Sequence, residues 1–328
     1  MDRMLGESIL HNVMRYERSK VAFDLVAVLV FHLEGQHGFS DSSGHALTSF
    51  LDAGTTFFDN FDYFNTYDPS SGFVHYVSPE YASQYNLTYA TNSSAVVKVD
   101  TSVTADSTPN ASTGRFSVRI ESKKQYSDGL FIFDVIHTPT GCATWPALWL
   151  SDPNNWPTNG EIDIMEAVNV VGSTKNQMTL HTTSGCSMSV KRKETGKSIQ
   201  SSCLNSTNGN AGCGVYGSSG SFGSDFNSNG GGVMAMELRS AGIRMWQFGR
   251  DDIPSDISSG SPDPSTWSEA TADFPSTNCN IGNHFRNQSI IVNIDLCGSW
   301  AGATGVYDEN CEFDFFFCIE EENRRRQG

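Results

Sequence analysis

Three observations predict an all-β fold, an antiparallel sandwich. Short alternating stretches begin at Thr55 and are broken by Gly, Pro, Asn and Ser about every ten residues, the strand-and-turn rhythm of such a fold. Only 18% of the 328 residues are charged; the polarity comes from Ser, Thr, Asn and 30 glycines, which favour turns over long solvated helices. The 38% of hydrophobic residues include 21 Phe and 6 Trp, whose large rings build an aromatic-rich core.

In residues 1–46, Arg15, Arg18 and Lys20 precede the apolar run 26–33, and Gly44-His45-Ala46 offers the small residues of a cleavage site. Asp24 beside the run and a long basic region make this an atypical signal-like leader, with a mis-predicted first exon as the alternative. The run is far short of the roughly 20 residues that span a bilayer, so no membrane anchor is expected. Residues 115–121 read as one strand of period two, with Phe116, Val118 and Ile120 on one side and Arg115, Ser117, Arg119 and Glu121 on the other. Residues 233–238 and 243–248 read as a hairpin turning through Arg239-Ser240-Ala241-Gly242. A further strand covers 289–295, while 191–220 and 253–264 read as polar loops. One domain over 48–310 accounts for these elements.

With 37 acidic against 21 basic residues, the net charge of −16 repels phosphate backbones and anionic lipids, so neither nucleic acid nor a membrane surface is an expected partner. Eight cysteines lie scattered among loop-like segments without Cys-x-x-Cys knuckles, which reads as disulfides rather than structural zinc. Sequons at Asn86, Asn92, Asn110, Asn205 and Asn287 agree with an extracellular, secreted location.

The segment from Gly160 to Asn169 sets Glu161, Asp163 and Glu166 in an apolar run. Such a spacing arises by chance about once in two chains of this composition, so it carries weight only through its surroundings. Ile162 and Ile164 alternate with Glu161 and Asp163, the pattern of a strand with one apolar and one acidic face. Glu166 is out of phase by one, and a helix would put Asp163 about 160° from Glu161. A single β-bulge near Met165 restores the phase and gathers all three acids on one face. Neighbouring carboxylates hold a proton to higher pH than normal, the condition glycoside hydrolysis sets for its acid. By pattern alone a calcium site or a solvated strand face fits as well. Trp145, Trp149 and Trp156 all fall within 16 residues of Glu161, and an indole face can pack on a pyranose ring, although each Trp alone reads as core. His181 could hydrogen-bond a cleft carboxylate; a lone His is more often structural.

At these residues the chain resembles glycoside hydrolase family 16, in particular the fungal laminarinase-like endo-β-1,3(4)-glucanases. The resemblance runs from Thr55 to about Gly305, through Phe57-Phe58-Asp59-Asn60-Phe61-Asp62-Tyr63-Phe64, Gly114-Arg115-Phe116-Ser117-Val118-Arg119-Ile120, Thr144-Trp145-Pro146-Ala147-Leu148-Trp149, the Glu161 to Glu166 signature, Asn176-Gln177-Met178-Thr179-Leu180-His181-Thr182 and Asp295-Leu296-Cys297-Gly298-Ser299-Trp300-Ala301-Gly302. It implies a β-jelly-roll sandwich of two bent antiparallel sheets with an open cleft on the concave face. It also implies Glu161 as nucleophile, Glu166 as acid/base, Asp163 as the residue tuning the nucleophile, and Arg119, Trp149, Trp156, His181 and Trp300 as substrate-binding residues. The function so implied is a secreted, monomeric, endo-acting retaining hydrolase of β-1,3 or mixed β-1,3/1,4 glucans, with neither cofactor nor metal. A non-catalytic glucan-binding protein and a glucan transglycosylase are the alternatives on the same fold. A raised pKa at the acid/base gives an acidic optimum with a falling alkaline limb. The family's last apolar strand has no counterpart in 311–328, where Phe313, Phe315 and Phe317 alternate before an acidic run, so an uncovered sheet edge is expected.

Overall fold

The computed structural model describes residues 54–102 and 114–307, together with Cys311, Cys318 and the backbone of 26–29. Its strands are β1 (Val26–Leu29), β2 (Phe61–Tyr63), β3 (Val74–Tyr76), β4 (Thr88–Ala90), β5 (Ala95–Lys98), β6 (Arg115–Ser117), β7 (Arg119–Tyr126), β8 (Gly129–His137), β9 (Thr144–Ser151) and β10 (Glu161–Glu166). They continue as β11 (Ser173–Thr174), β12 (Gln177–His181), β13 (Lys197–Ser198), β14 (Val215–Tyr216), β15 (Phe222–Gly223), β16 (Gly232–Arg239), β17 (Gly242–Gly249), β18 (Ala272–Pro275) and β19 (Gln288–Leu296).

Two antiparallel sheets form the β-jelly-roll. One has the order β18-β17-β16-β8-β1-β5-β4, the other β13-β14-β12-β10-β9-β19-β7-β2. Alternate side chains of each sheet meet between them: Ile120, Leu148, Leu150, Ile162 and Leu180 from the eight-stranded sheet, Phe131, Phe133, Met234, Met245 and Phe274 from the other. Burying each such side chain fully contributes about 1.5 to 3 kcal/mol. The seven-stranded sheet is apolar on its outer face too. There Ile132, Val233, Ala235, Trp246 and Phe248 form a second small core, roofed by Ile253, Ile257 and Trp267. The segment read as a polar loop over 253–264 thus carries two apolar anchors whose period is too irregular to stand out.

The hairpin stands in the expected register, from Gly232 opposite Gly249 to Arg239 opposite Gly242. Residues 115–121 form two strands instead of one, because β6 pairs with β3 in a parallel ribbon while β7 joins the eight-stranded sheet. Ser117 is fully buried, its hydroxyl donating to the Ile294 carbonyl, and Phe116 is left half-buried on the other side.

Val26–Leu29, which the sequence assigns to the leader, pairs with β5 from Val26 opposite Lys98 to Leu29 opposite Ala95, and with β8 through Val28 and Leu29. The Gly44-His45-Ala46 site and the Phe313 to Phe317 run lie outside the described residues.

All eight cysteines are paired, as Cys142–Cys311, Cys186–Cys279, Cys203–Cys213 and Cys297–Cys318. Two of these bonds tie the tail to the domain. The bonds span sequence separations from 10 to 169 residues, and each restricts the unfolded chain by about 3 to 5 kcal/mol in the loop-entropy account. Mild reduction is therefore expected to lower the melting temperature by several degrees or more, and the native protein to show no titratable thiol. Six or more free thiols before reduction would contradict the pairing.

Candidate active site

The acidic strand β10 follows Gly160, whose φ of +73° is left-handed and whose Cβ, were there one, would lie 2.4 Å from the His284 carbonyl oxygen. Along β10, Glu161, Ile162 and Asp163 face Ser151, Leu150 and Trp149 of β9; the register then slips, and Met165 and Glu166 face Leu148 and Ala147. Against β12, the three steps from Asp163 to Glu166 oppose two, from Thr179 to Gln177. This is the expected bulge. It turns both Ile164 and Met165 into the core and returns Glu166 to the face of Glu161 and Asp163. The buried Asn176 holds it: its Nδ2 donates to the Ile164 carbonyl at 2.9 Å, and its Oδ1 accepts from the Glu166 amide at 3.0 Å. Two ladder groups that the bulge would strand are thus paired.

His181 lies opposite Glu161 on β12, its Nε2 3.2 Å from Asp163 Oδ2 and 3.9 Å from Glu161 Oε1. The closer contact is an ion pair whose angle falls short of a hydrogen bond, since Asp163 Oδ2 has no hydrogen-bond partner. His181 Nδ1 meets Asn210 Oδ1 at 3.0 Å, so an imidazolium donates its Nδ1–H there while its Nε2 side pairs in charge with Asp163. Burial alone would depress the pKa of His181, but Asp163, Glu161 and Glu166 push it up to about 10. Gly212 packs directly behind the ring: a Cβ there would sit 2.8 Å from Cε1.

Each glutamate also accepts from an indole. Trp145 Nε1 donates to Glu166 Oε1 at 2.6 Å, and Trp156 Nε1 to Glu161 Oε2 at 2.5 Å. Burial, then the charge of Asp163, raises Glu161 to about 7 against the opposite pull of His181, Trp156 and Arg119. The same two causes push Glu166 well above the usual carboxylate range. Both glutamates thus hold a proton to higher pH than a free carboxyl does, and they titrate as one coupled pair.

The structure brings the other sequence-predicted residues to the same face. Trp149 donates to Asn293 Oδ1 at 2.8 Å. The Arg119 guanidinium lies 5.0 Å from the Trp149 ring centroid and 4.6 Å from that of Phe64, and its Nε donates to Glu121 at 2.8 Å. Trp156 is 45% exposed, so part of its indole is open to a ligand. Trp300 packs edge-on against Trp145, centroids 5.7 Å apart, and so braces the indole that holds Glu166. Sequence reading missed Asn176, Asn210, Asn293 and Phe64, and weighed Trp145 only as core or a sugar-stacking ring, not as a donor to Glu166. Phe64 and Asn176 stood inside segments that carry the family resemblance, but nothing local marked them as site residues.

One ligand atom each from Glu161, Asp163 and His181 fits within 4.8 Å, a spacing a divalent cation could bridge. A cation would first have to displace the His181 proton that the three acids stabilise. The chemistry on offer is otherwise that of two carboxyls on one strand face, each with a raised pKa and each held by an indole, an arrangement an acid-and-nucleophile pair can use.

The family model for the XgeA-like, catalytic GH16 domain matches residues 61–323. The chain belongs to glycoside hydrolase family 16. Among relatives, a probable endo-1,3(4)-beta-glucanase of Aspergillus flavus is 41% identical over 79% of this chain and 38% of its own length. Across three curated fungal relatives, with identities up to 48%, this chain spans between 38% and 60% of their length. Laminarinase 16A from Phanerochaete chrysosporium, solved with 6-O-glucosyl-laminaritriose in both donor and acceptor sites, superposes with a TM-score of 0.74 at 37% identity, over 87% of this chain and 89% of that one. An elongating family 16 β-1,3-glucosyltransferase superposes at 0.72 with 36% identity, over 82% and 92%.

Proposed function

We propose that this family 16 domain is an endo-acting, retaining hydrolase of β-1,3 or mixed β-1,3/1,4 glucans that works outside the cell. The observation that carries the reading is the placing of Glu161 and Glu166 on one face of β10 by the bulge, each held by its own indole. Glu161 attacks the anomeric carbon through Oε1, since Trp156 holds Oε2. As the glycosidic bond breaks, Glu166 gives its proton to the leaving oxygen from Oε2, since Trp145 holds Oε1. A water then gives its proton to Glu166 and its oxygen to the anomeric carbon, releasing Glu161. Asp163, 3.2 Å from His181 Nε2, stands between the two glutamates, and its charge favours the proton that Glu166 must carry.

The names of the relatives support this substrate class, as does the glucan seated in the laminarinase. Four disulfides and the exposed sequon residues Asn86, Asn92 and Asn287 support the extracellular location. The glucosyltransferase likeness favours one second reading, in which a sugar hydroxyl replaces water in the second step.

Purified protein on laminarin, lichenan and carboxymethylcellulose tests the proposal. Net reducing ends from the first two and a first-formed β-anomer by NMR are expected. A first-formed α-anomer would reject retention, redistribution of chain length without new reducing ends would make the protein a transferase, and binding without either would make it a glucan-binding module.

A further inference from the structure

Outside the cleft, the helix α1 (Pro79–Gln84) and the β3–β6 ribbon carry a row of aromatic rings toward solvent. Tyr81 and Tyr85 stand four residues apart and so share one side of the helical turn, their rings within 15° of parallel and their centroids 6.4 Å apart. Phe116 packs edge-on against Tyr85 at 5.1 Å and tilted against Tyr81 at 6.2 Å, which fixes both rings. The row continues through His75, 6.0 Å from Phe116, to Tyr67, 5.2 Å from His75.

This row is separate from the catalytic face. Tyr76 hydroxyl accepts from Asn293 Nδ2, and Asn293 in turn holds Trp149, so Tyr76 points toward the cleft floor. His75, its neighbour on β3, projects from the opposite side of the strand, as Phe116 does relative to the buried Ser117. Despite packing on their neighbours, Tyr67 and Tyr81 stay 51% and 52% exposed and Tyr85 43%. An amphipathic helix hides its rings; here the only buried residue of α1 is Ala82, and the tyrosines face water. Clustered exposed rings of this kind mark a binding surface.

We propose that this row is a second carbohydrate-binding surface, which holds the neutral glucan polymer whose cleavage is proposed above, and it rests on that reading. On a chain of net charge −16, helix α1 brings one charge, Glu80, and otherwise hydroxyl, amide and phenol groups. That suits an uncharged ligand with apolar ring faces and peripheral hydroxyls, and not a nucleic acid or an anionic lipid. A half-exposed, pre-positioned ring loses little freedom on binding, so several weak contacts along a polymer add to the hold of the cleft.

The test uses insoluble β-1,3-glucan particles as probe and the full chain with Glu161→Gln, so that particles are bound without being cleaved. The pair Tyr81→Ala/Tyr85→Ala is expected to weaken retention by fivefold or more. In the wild-type background it should leave kcat/KM on short soluble laminari-oligosaccharides within twofold, which also shows that the protein folds. Tyr81→Phe/Tyr85→Phe, which keeps the rings, should retain most of the binding. Unchanged retention in the alanine pair would overturn the proposal. So would sedimentation showing a wild-type dimer that the alanine pair makes monomeric, since the rings would then be covered by a second copy. A wild-type protein that releases no reducing ends from any glucan yet loses retention in the alanine pair would refute the cleft reading and keep this one.

Discussion

Glu161→Gln is expected to lower turnover of laminarin by at least about 10³-fold while binding stays near wild type, because the amide keeps the volume of the side chain and its acceptor for Trp156 but cannot form the glycosyl ester. Glu166→Ala should behave differently. It removes the proton donor, so glucans with poor leaving groups should lose far more rate than activated aryl glycosides, whose departure needs little protonation. The pH profile carries the same assignment. Activity needs Glu161 ionised and Glu166 protonated, so the rate rises as pH passes the pKa of Glu161 and falls as it passes that of Glu166. Burial and Asp163 raise both, to about 7 for Glu161 and well above the usual carboxylate range for Glu166, which moves the working window upward from the acidic optimum expected from sequence. Asp163→Asn removes a charge that raises both groups and should move both limbs toward acid. Wild-type activity in Glu161→Gln would relocate the nucleophile, and equal losses on both substrate types in Glu166→Ala would remove Glu166 from the acid role.

How far the site was legible depends on whether its cause was local. The alternation of Glu161, Ile162, Asp163 and Ile164 with Glu166 out of phase was enough to require a bulge, because period two is a strict constraint on a half-buried strand. The structure has that bulge. Its support was not legible: Asn176 lies ten residues on, and which asparagine returns to satisfy a stranded carbonyl is decided by the β10–β12 turn. Trp145 was visible as a nearby ring but not as a donor, since only the register between β9 and β10 sets it against Glu166. The strand over 115–121 was misread as continuous for a related reason. Its alternation is sound, but the two halves pair with different sheets, and pairing is a tertiary choice that sequence period cannot express.

The N-terminal run shows the same limit with a larger consequence. A mostly apolar run over 26–33, after a basic region, satisfies the pattern of a leader and of a buried strand equally well. Among the described residues β1 alone links β5 to β8, and the β4–β5 hairpin joins the seven-stranded sheet through it. A lone hairpin is marginal in water, and without β1 both β5 and β8 would present unpaired edges in the middle of a sheet. Ala95 and Val97 of β5 are fully or nearly fully buried in the main core, so release of the hairpin would also open that core. A chain starting at Ala46 is therefore expected to show a melting temperature at least ~10 °C below that of a chain starting at Lys20, the consequence of losing several kcal/mol in a domain of this size. Its soluble yield and laminarin hydrolysis should fall with it, and a synthetic peptide covering residues 20–33 should restore part of the melting temperature. Equal yield, melting temperature and activity in the two chains would show that β5 and β8 hold without β1. Cleavage after the leader would then cost the fold nothing, and residues 1–46 could be removed as the sequence pattern suggests.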